Sequence, residues 1–364
     1  MSDIDDSIRR EVHERVDRLA IPTAGRAAAV RSDLRRSRHR RALAVASGAA
    51  LVCAATVAVF VRGHQGDHVV DEPGNPLRVV RTLSASSLGL ARPEAATIGP
   101  NGNLYITDSA HQTVTEATPR GRVVRTWGGE GTRPGQFRLA NGGIAVDQKG
   151  RVYVADSGNA RIQVFTSTGH FIRQMGVFGN EAGQFQFPWA IAVASDGSLY
   201  VSDDRQATLT KLSPRGHQDW RLGGPGTPPD LVGHTHFGNL DSRGRLVAGN
   251  DDSGRVVYLS PQGHEVDGFG TGASGDHQNT LGHPRADDFP EGACDTTVDS
   301  HDDVYVGGCA PTRAKGNLIQ VYDPTHRLVG VWPHSPLRTA PRFGPGGLAV
   351  SVGFDSIVEV VVDR

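Results

Sequence analysis

Short stretches of alternating apolar and polar residues recur along the chain from about residue 67 to its end. The clearest unit, GGIAVDQKGRVYVADSGNARIQVFTSTGHFIRQMG at 142–176, contains four such stretches separated by turn residues. Related cores lie at 104–109, 152–157, 199–204, 246–251 and 304–309. Their second positions, 105, 153, 200, 247 and 305, are spaced by 48, 47, 47 and 58 residues. Four alternating strands in a repeat of this length are typical of a β-propeller blade.

The two ends of the repeat region are predicted to share a sixth blade. The sequence GGLAVSVGFDSIVEVVVDR at 346–364 contains two strands, whereas HVVDEPGNPLRVVRTL at 68–83 parallels TVTEATPRGRVVRTW at 113–127. We therefore predict that the C-terminal end supplies the inner two strands of this blade and the N-terminal segment its outer two. Such closure leaves no free sheet edge. It also places Asp363 near His68.

The second repeat carries the closest family likeness. Its core AVDQKGRVYVADSGNARIQVF, with GTRPGQF before it and GNEAGQFQFP after it, resembles the NHL repeat. The resemblance extends over 68–364 and implies an all-β fold, a six-bladed NHL-type β-propeller. It is similar to the extracellular NHL sensor domains of bacterial receptor serine/threonine kinases. This chain has no kinase, because the 41 residues before its apolar segment are too few to fold one.

A membrane anchor is predicted ahead of the propeller. Residues 42–61, ALAVASGAALVCAATVAVFV, carry no charge and are long enough, at about 1.5 Å per residue, to cross a ~30 Å hydrocarbon layer. Six arginines lie between Arg31 and Arg41, so the positive-inside rule places 1–41 in the cytoplasm. The linker 62–67 and the propeller 68–364 then lie outside the cell membrane. A buried helix and a cleaved signal peptide are the alternatives.

The cytoplasmic segment has two interpretations. Residues 3–20, DIDDSIRREVHERVDRLA, place apolar side chains on one helical face, and three aspartates favour the start of that helix. The helix is either a solvated juxtamembrane element or a docking helix for a cytosolic partner. The arrangement resembles the N-termini of actinobacterial membrane proteins related to anti-sigma factors.

The face where the inner strands begin is predicted to form a ligand-binding mouth. Aligning the blades on Gly142 gives a ring of Glu94, Gly142, Trp189, His236, Cys294 and Gly346, with Arg92, Ala140, Phe187, His234, Gly292 and Gly344 two residues earlier. The candidate binding residues are Arg92, Glu94, Phe187, Trp189, His234, His236 and Asp295. Mixed polar and aromatic groups suit a peptide, a glycan or a protein ligand. The leading hypothesis is a non-catalytic extracytoplasmic sensor or scaffold.

No complete catalytic or metal-binding set is evident, and no cofactor is predicted. Asp108, Asp156 and Asp203 recur at one blade position, where carboxylates usually bind nearby backbone. His234 and His236, with the histidines and aspartates of the insertion 270–289, could hold a metal. Some NHL-like propellers are metal-dependent lyases or lactonases. The alternative hypothesis is therefore a membrane-tethered lyase or lactone hydrolase.

Two cysteines outside the anchor are candidates for a disulfide. Cys294 and Cys309 lie equally far from a turn centred between His301 and Asp302, which would make them cross-strand neighbours. An extracytoplasmic location permits a bridge. Two buried free thiols are the alternative. Nucleic acid is not an expected partner, because the net charge is −1 and no basic stripe with interleaved aromatic residues is present.

Overall fold

The computed structural model describes eight stretches of the chain: 77–138, 143–224, 235–250, 253–270, 293–308, 317–335, 337–353 and 356–362. The predictions made for 1–41, for the anchor 42–61, for the linker 62–67 and for the Asp363–His68 pair lie outside these stretches. None of the helices within the described stretches has the length and apolar character needed to cross a membrane.

The described residues form six four-stranded antiparallel sheets, each numbered here from its innermost strand outward. The first and second sheets contain β2 (Pro93–Ile98), β3 (Leu104–Asp108), β4 (Thr113–Ala117) and β5 (Val123–Gly128), then β6 (Ile144–Val146), β7 (Val152–Asp156), β8 (Arg161–Phe165) and β9 (Phe171–Met175). The third and fourth contain β10 (Pro188–Val193), β11 (Leu199–Asp203), β12 (Thr208–Leu212) and β13 (Gln218–Gly223), then β14 (Thr235–His236), β15 (Leu246–Asn250), β16 (Arg255–Leu259) and β17 (Glu265–Phe269). The fifth contains β18 (Asp295–Val298), β19 (Val304–Gly307), β20 (Asn317–Tyr322) and β21 (Leu328–Ser335).

The sixth sheet joins the two ends of the described chain. It contains β22 (Arg342–Phe343), β23 (Leu348–Val352), β24 (Ser356–Val362) and, outermost, β1 (Leu77–Ser84). Three short 3₁₀ helices, Ala85–Leu88, Ser157–Asn159 and Pro345–Gly347, are also described. The innermost strands contact one another in the order β2, β6, β10, β14, β18, β22 and back to β2. The all-β propeller predicted from the repeat is confirmed.

Burial explains why the repeat was visible in the sequence. The second strands β3, β7 and β11, with the sequences LYITD, VYVAD and LYVSD, are buried at every position because neighbouring sheets cover both faces. The fourth strand β9 instead alternates between buried or half-buried and exposed residues. The predicted cores coincide with β3, β7, β11, β15 and β19, each of which starts at the residue where the repeat places it.

The tyrosine at the second position of these cores packs between sheets. Tyr153 is fully buried and donates its hydroxyl to the Oδ2 of Asp147 at 3.1 Å. Burial, together with the nearby Asp147 charge, raises the pKa of Tyr153 to about 12. Burial likewise raises the pKa of Tyr200 to about 12. The repeated tyrosine is therefore a core residue with a polar tip.

The closure of the last blade differs from the prediction. The N-terminal segment supplies one described strand, β1, which pairs with β24 from Leu77–Val362 to Ser84–Ser356. The C-terminal region supplies three strands rather than two, so the predicted division was wrong by one strand. The cause is β22, which is only two residues long and leaves no alternating pattern in the sequence.

Candidate functional site

A cavity of about 310 Å³ opens at the axis of the ring, at the lower end of the size range of ligand pockets. All six sheets contribute to its wall, either through the innermost strand or through the residues just before it. The polar and aromatic lining residues include Glu94, Trp189, His236, Cys294, Asp295, Arg338, Thr339 and Arg342. We call this cavity the mouth.

Glu94 is a buried carboxylate held by three neighbours. Its side chain is 6% exposed, and it accepts hydrogen bonds from Arg92 Nε at 2.9 Å, Ser109 Oγ at 2.8 Å and Arg338 Nη2 at 2.5 Å. Arg92 lies on the rim and is 70% exposed. Because two guanidiniums face one carboxylate, the charge that this cluster presents to the mouth is positive.

Asp295 forms a second pair of the same kind. Its Oδ1 accepts from Arg342 Nη2 at 2.8 Å and its Oδ2 from the backbone N–H of Ala340 at 3.1 Å. Arg342 also donates to the carbonyl of Thr296 at 3.2 Å. The pair joins the fifth and sixth sheets, because Asp295 begins β18 and Arg342 begins β22.

Three rings form a row beside these charges. Phe187 and Trp189 stack with centroids 5.8 Å apart, and Trp189 stacks on His236 at 5.7 Å with an interplanar angle of 15°. Offset stacking of this kind fixes the orientation of the rings. His236 Nε2 lies 3.4 Å from Asp204 Oδ1, and the guanidinium of Arg205 covers the Phe187 ring at 5.2 Å.

The structure brings most of the predicted mouth residues together. Glu94, Trp189, His236 and Asp295 line the cavity, whereas Arg92 lies on the rim and Phe187 lies behind Trp189. His234 falls outside the described residues. That these residues bind a ligand stays a prediction.

Arg338 and Arg342 were missed by the sequence alignment. Gly344 and Gly346, which were predicted to complete the ring, instead lie after β22 in the turn to β23. In the other blades the ring residue stands ten positions before the second strand, as Glu94 stands before Leu104. The same offset from Leu348, the first residue of β23, selects Arg338. The signal was therefore present, but the last blade was aligned one strand out.

The recurring aspartates bind backbone, as predicted. Asp108 accepts from the N–H groups of Ala91, Arg92 and Ala110 and from His111 Nδ1. Burial acts to raise the pKa of Asp108, but these hydrogen bonds outweigh it and hold the pKa below its usual value.

The equivalent carboxylates act in the same way. Asp203 accepts from the backbone N–H groups of Gln186, Phe187, Arg205 and Gln206. Asp156 accepts from the Arg138 N–H and from the side chains of Asn159, Arg161 and Gln163. These bonds tie the loop before each innermost strand to the turn after the second strand, and so shape the rim of the mouth.

Cys294 is disulfide-bonded and lies in the wall of the mouth. Cys309 falls outside the described residues, so the Cys294–Cys309 pairing stays a prediction. The strand register differs by one residue from the predicted one, because Asp295 pairs with Gly307. Mass spectrometry of a non-reduced digest is expected to recover the two cysteine peptides linked. Complete alkylation of both thiols before reduction would contradict the pairing.

Fold and site together define a β-propeller with a charged, partly aromatic mouth at its axis. Residues 142–165 match the model of the NHL repeat, so the chain carries an NHL repeat within a β-propeller. No curated protein matches the chain.

Several solved structures share the fold. A virginiamycin B lyase from Staphylococcus aureus is 11% identical, with a TM-score of 0.51 over 79% of this chain and 100% of that one. A gluconolactonase from Xanthomonas campestris is 14% identical, with a TM-score of 0.52 over 83% of this chain and 100% of that one. At such identities the likeness extends to the fold alone.

Proposed function

We propose that the chain is a membrane-anchored extracytoplasmic NHL β-propeller that binds a peptide, glycan or protein ligand at its mouth and acts as a sensor or scaffold. The observation that carries the proposal is the pairing of both mouth carboxylates with arginine. Glu94 is bound by Arg92 and Arg338, and Asp295 is bound by Arg342. A general acid or base must exchange protons with a substrate, and a salt-bridged carboxylate is poorly suited to that task. Fixed guanidiniums suit recognition.

The alternative is a metal-dependent lyase or lactone hydrolase, the activities named for the two similar folds. The residues at the mouth do not fit a metal centre, because both oxygens of Glu94 already face guanidiniums. No cluster of three or more His, Cys, Asp or Glu side chains suited to a metal is found within the described stretches. We therefore derive no catalytic step through a metal.

Elemental analysis of the purified full-length protein separates the two functions. The binding proposal expects no stoichiometric metal and no turnover of lactone or cyclic depsipeptide substrates. A stoichiometric zinc or calcium ion that is lost in the Glu94→Gln, His234→Ala, His236→Ala triple variant would support the enzyme instead. The matched control is His217→Ala, since His217 lies in the turn between β12 and β13 and is remote in sequence from the mouth.

The anchor and the topology rest on sequence. Residues 42–61 are uncharged and follow an arginine cluster, and a disulfide at Cys294 supports an oxidising compartment. A cytosolic partner of 1–41 would be needed to transmit a signal. An alkaline phosphatase fused after Arg364 is expected to be active in intact cells and inactive when 42–61 are deleted. A fluorescent protein fused there that folds in the cytoplasm would contradict the topology.

A further inference from the structure

The exposed charge of the mouth is cationic, although its residues include buried acids. The side chains of Glu94 and Asp295 are 6% and 12% exposed, whereas those of Arg338 and Arg342 are 33% and 22% exposed. The carboxylates therefore lie behind the guanidiniums. A ligand that enters the mouth meets the planar, multi-donor groups that best recognise oxyanions.

The two guanidiniums are held in position before a ligand arrives. Arg338 is fixed by Glu94 of the first sheet, and Arg342 by Asp295 and the Thr296 carbonyl of the fifth. They stand four residues apart on the segment that leads into β22. Arginines already ordered by buried partners lose little conformational entropy on binding, which favours affinity.

The rest of the wall is largely apolar. Ile144, Ile191 and Phe237 line the same cavity, together with the Trp189 ring. An inorganic anion would leave this surface uncovered. The combination of guanidiniums with an apolar wall suits an anion that is attached to an apolar body.

We propose that Arg338 and Arg342 form a carboxylate subsite, and that the ligand of the mouth is an organic acid whose apolar part packs against Trp189 and Ile191. The inference deepens the proposed binding function and rests on it. A free C-terminal residue of a peptide and a small carboxylic acid both have this chemistry.

The test uses a pair of probes that differ only in charge, N-acetylphenylalanine and N-acetylphenylalanine amide. Saturation-transfer NMR measures their affinities for the full-length protein in nanodiscs, with empty nanodiscs as the blank. The acid is expected to bind at least about tenfold more tightly than the amide, as a charge-assisted hydrogen bond predicts. Added salt should weaken the acid and leave the amide unchanged. Phenylacetate as a second acid distinguishes a small-acid ligand from a peptide end, because it lacks the peptide group.

Three charge-neutral variants identify the subsite. Glu94→Gln with Arg338→Gln, and Asp295→Asn with Arg342→Gln, each remove one guanidinium without stranding its buried acid. Each is expected to abolish about tenfold of the preference for the acid. The matched control is Glu265→Gln with Arg255→Gln, because this pair is 2.7 Å apart on the outer strands of the fourth sheet. It should leave both affinities unchanged.

The outcomes separate the inference from the function beneath it. Equal affinities for acid and amide in the wild type, or a preference that survives both mouth variants, would overturn the carboxylate subsite. If both probes bind equally and both are lost in Trp189→Ala, the subsite is wrong and the binding mouth stands. If neither probe nor any ligand is retained, both are wrong.

Discussion

Replacement of Arg342 by glutamine should destabilise the propeller measurably. Arg342 and Asp295 join the fifth and sixth sheets through a 2.8 Å ion pair, and the Asp295 side chain is 12% exposed. Glutamine is too short to reach the carboxylate in the same way. The change therefore leaves a buried negative charge without its cation, while Ala340 N–H still donates to the other oxygen at 3.1 Å.

The expected cost follows from burial. Removing one partner of a fully buried pair typically costs about 3–5 kcal/mol. Arg342 is 22% exposed and Asp295 keeps its backbone donor, so we expect about 2–3 kcal/mol for Arg342→Gln. The double variant with Asp295→Asn removes the stranded charge and should cost about 1 kcal/mol, since only a neutral hydrogen bond changes.

Denaturant unfolding of the full-length protein, monitored by circular dichroism, measures these differences. The control is Arg255→Gln, whose partner Glu265 is 30% exposed, and it should cost less than about 1 kcal/mol. The reasoning would be refuted if Arg342→Gln were no worse than Arg255→Gln. It would equally be refuted if the double variant were as unstable as the single one.

Two further predictions test the packing. Gly223 has a φ of +86°, and an added Cβ would lie 2.3 Å from the Ala207 carbonyl oxygen, whereas Gly183 has a φ of +73° with open space around it. Gly223→Ala should therefore cost at least about 2 kcal/mol more than Gly183→Ala in the same unfolding assay, and equal costs would contradict the described contact. Tyr153 and Tyr200 should ionise near pH 12, against about 10 when unfolded, in a spectrophotometric titration. Their contribution to stability is full below pH 10 and is lost as the pH rises to 12; ionisation of every tyrosine near pH 10 with the fold intact would contradict their burial.

Much of the fold could be predicted because burial on two faces leaves a strong sequence signal. The cores that include Tyr105, Tyr153 and Tyr200 carry continuous apolar residues followed by aspartate, and they lie where the repeat places them. The RVVRT repeat also identified β1 as an outermost strand. The two-residue strand β22 has no period to detect, so the last blade was misaligned.

The mouth was predicted in part for the same reason. Glu94, Trp189 and His236 share one offset from well-marked second strands, so alignment alone brought them to one cavity. Arg338 and Arg342 precede β22 and were lost with it. Their pairing with acids from other sheets depends on the closed ring, and chain distances of 244 and 47 residues give no local signal.

The most direct test of the binding account is the fate of a ligand recovered from the mouth. Full-length protein is incubated with fractionated cell-envelope extract, and the retained compounds are identified by mass spectrometry before and after prolonged incubation. The account predicts a compound that is retained unaltered by the wild type and by the Arg255→Gln, Glu265→Gln control, and is released by the Arg342→Gln, Asp295→Asn variant. Recovery of that compound in chemically converted form, or equal retention by the mouth variant, would contradict it.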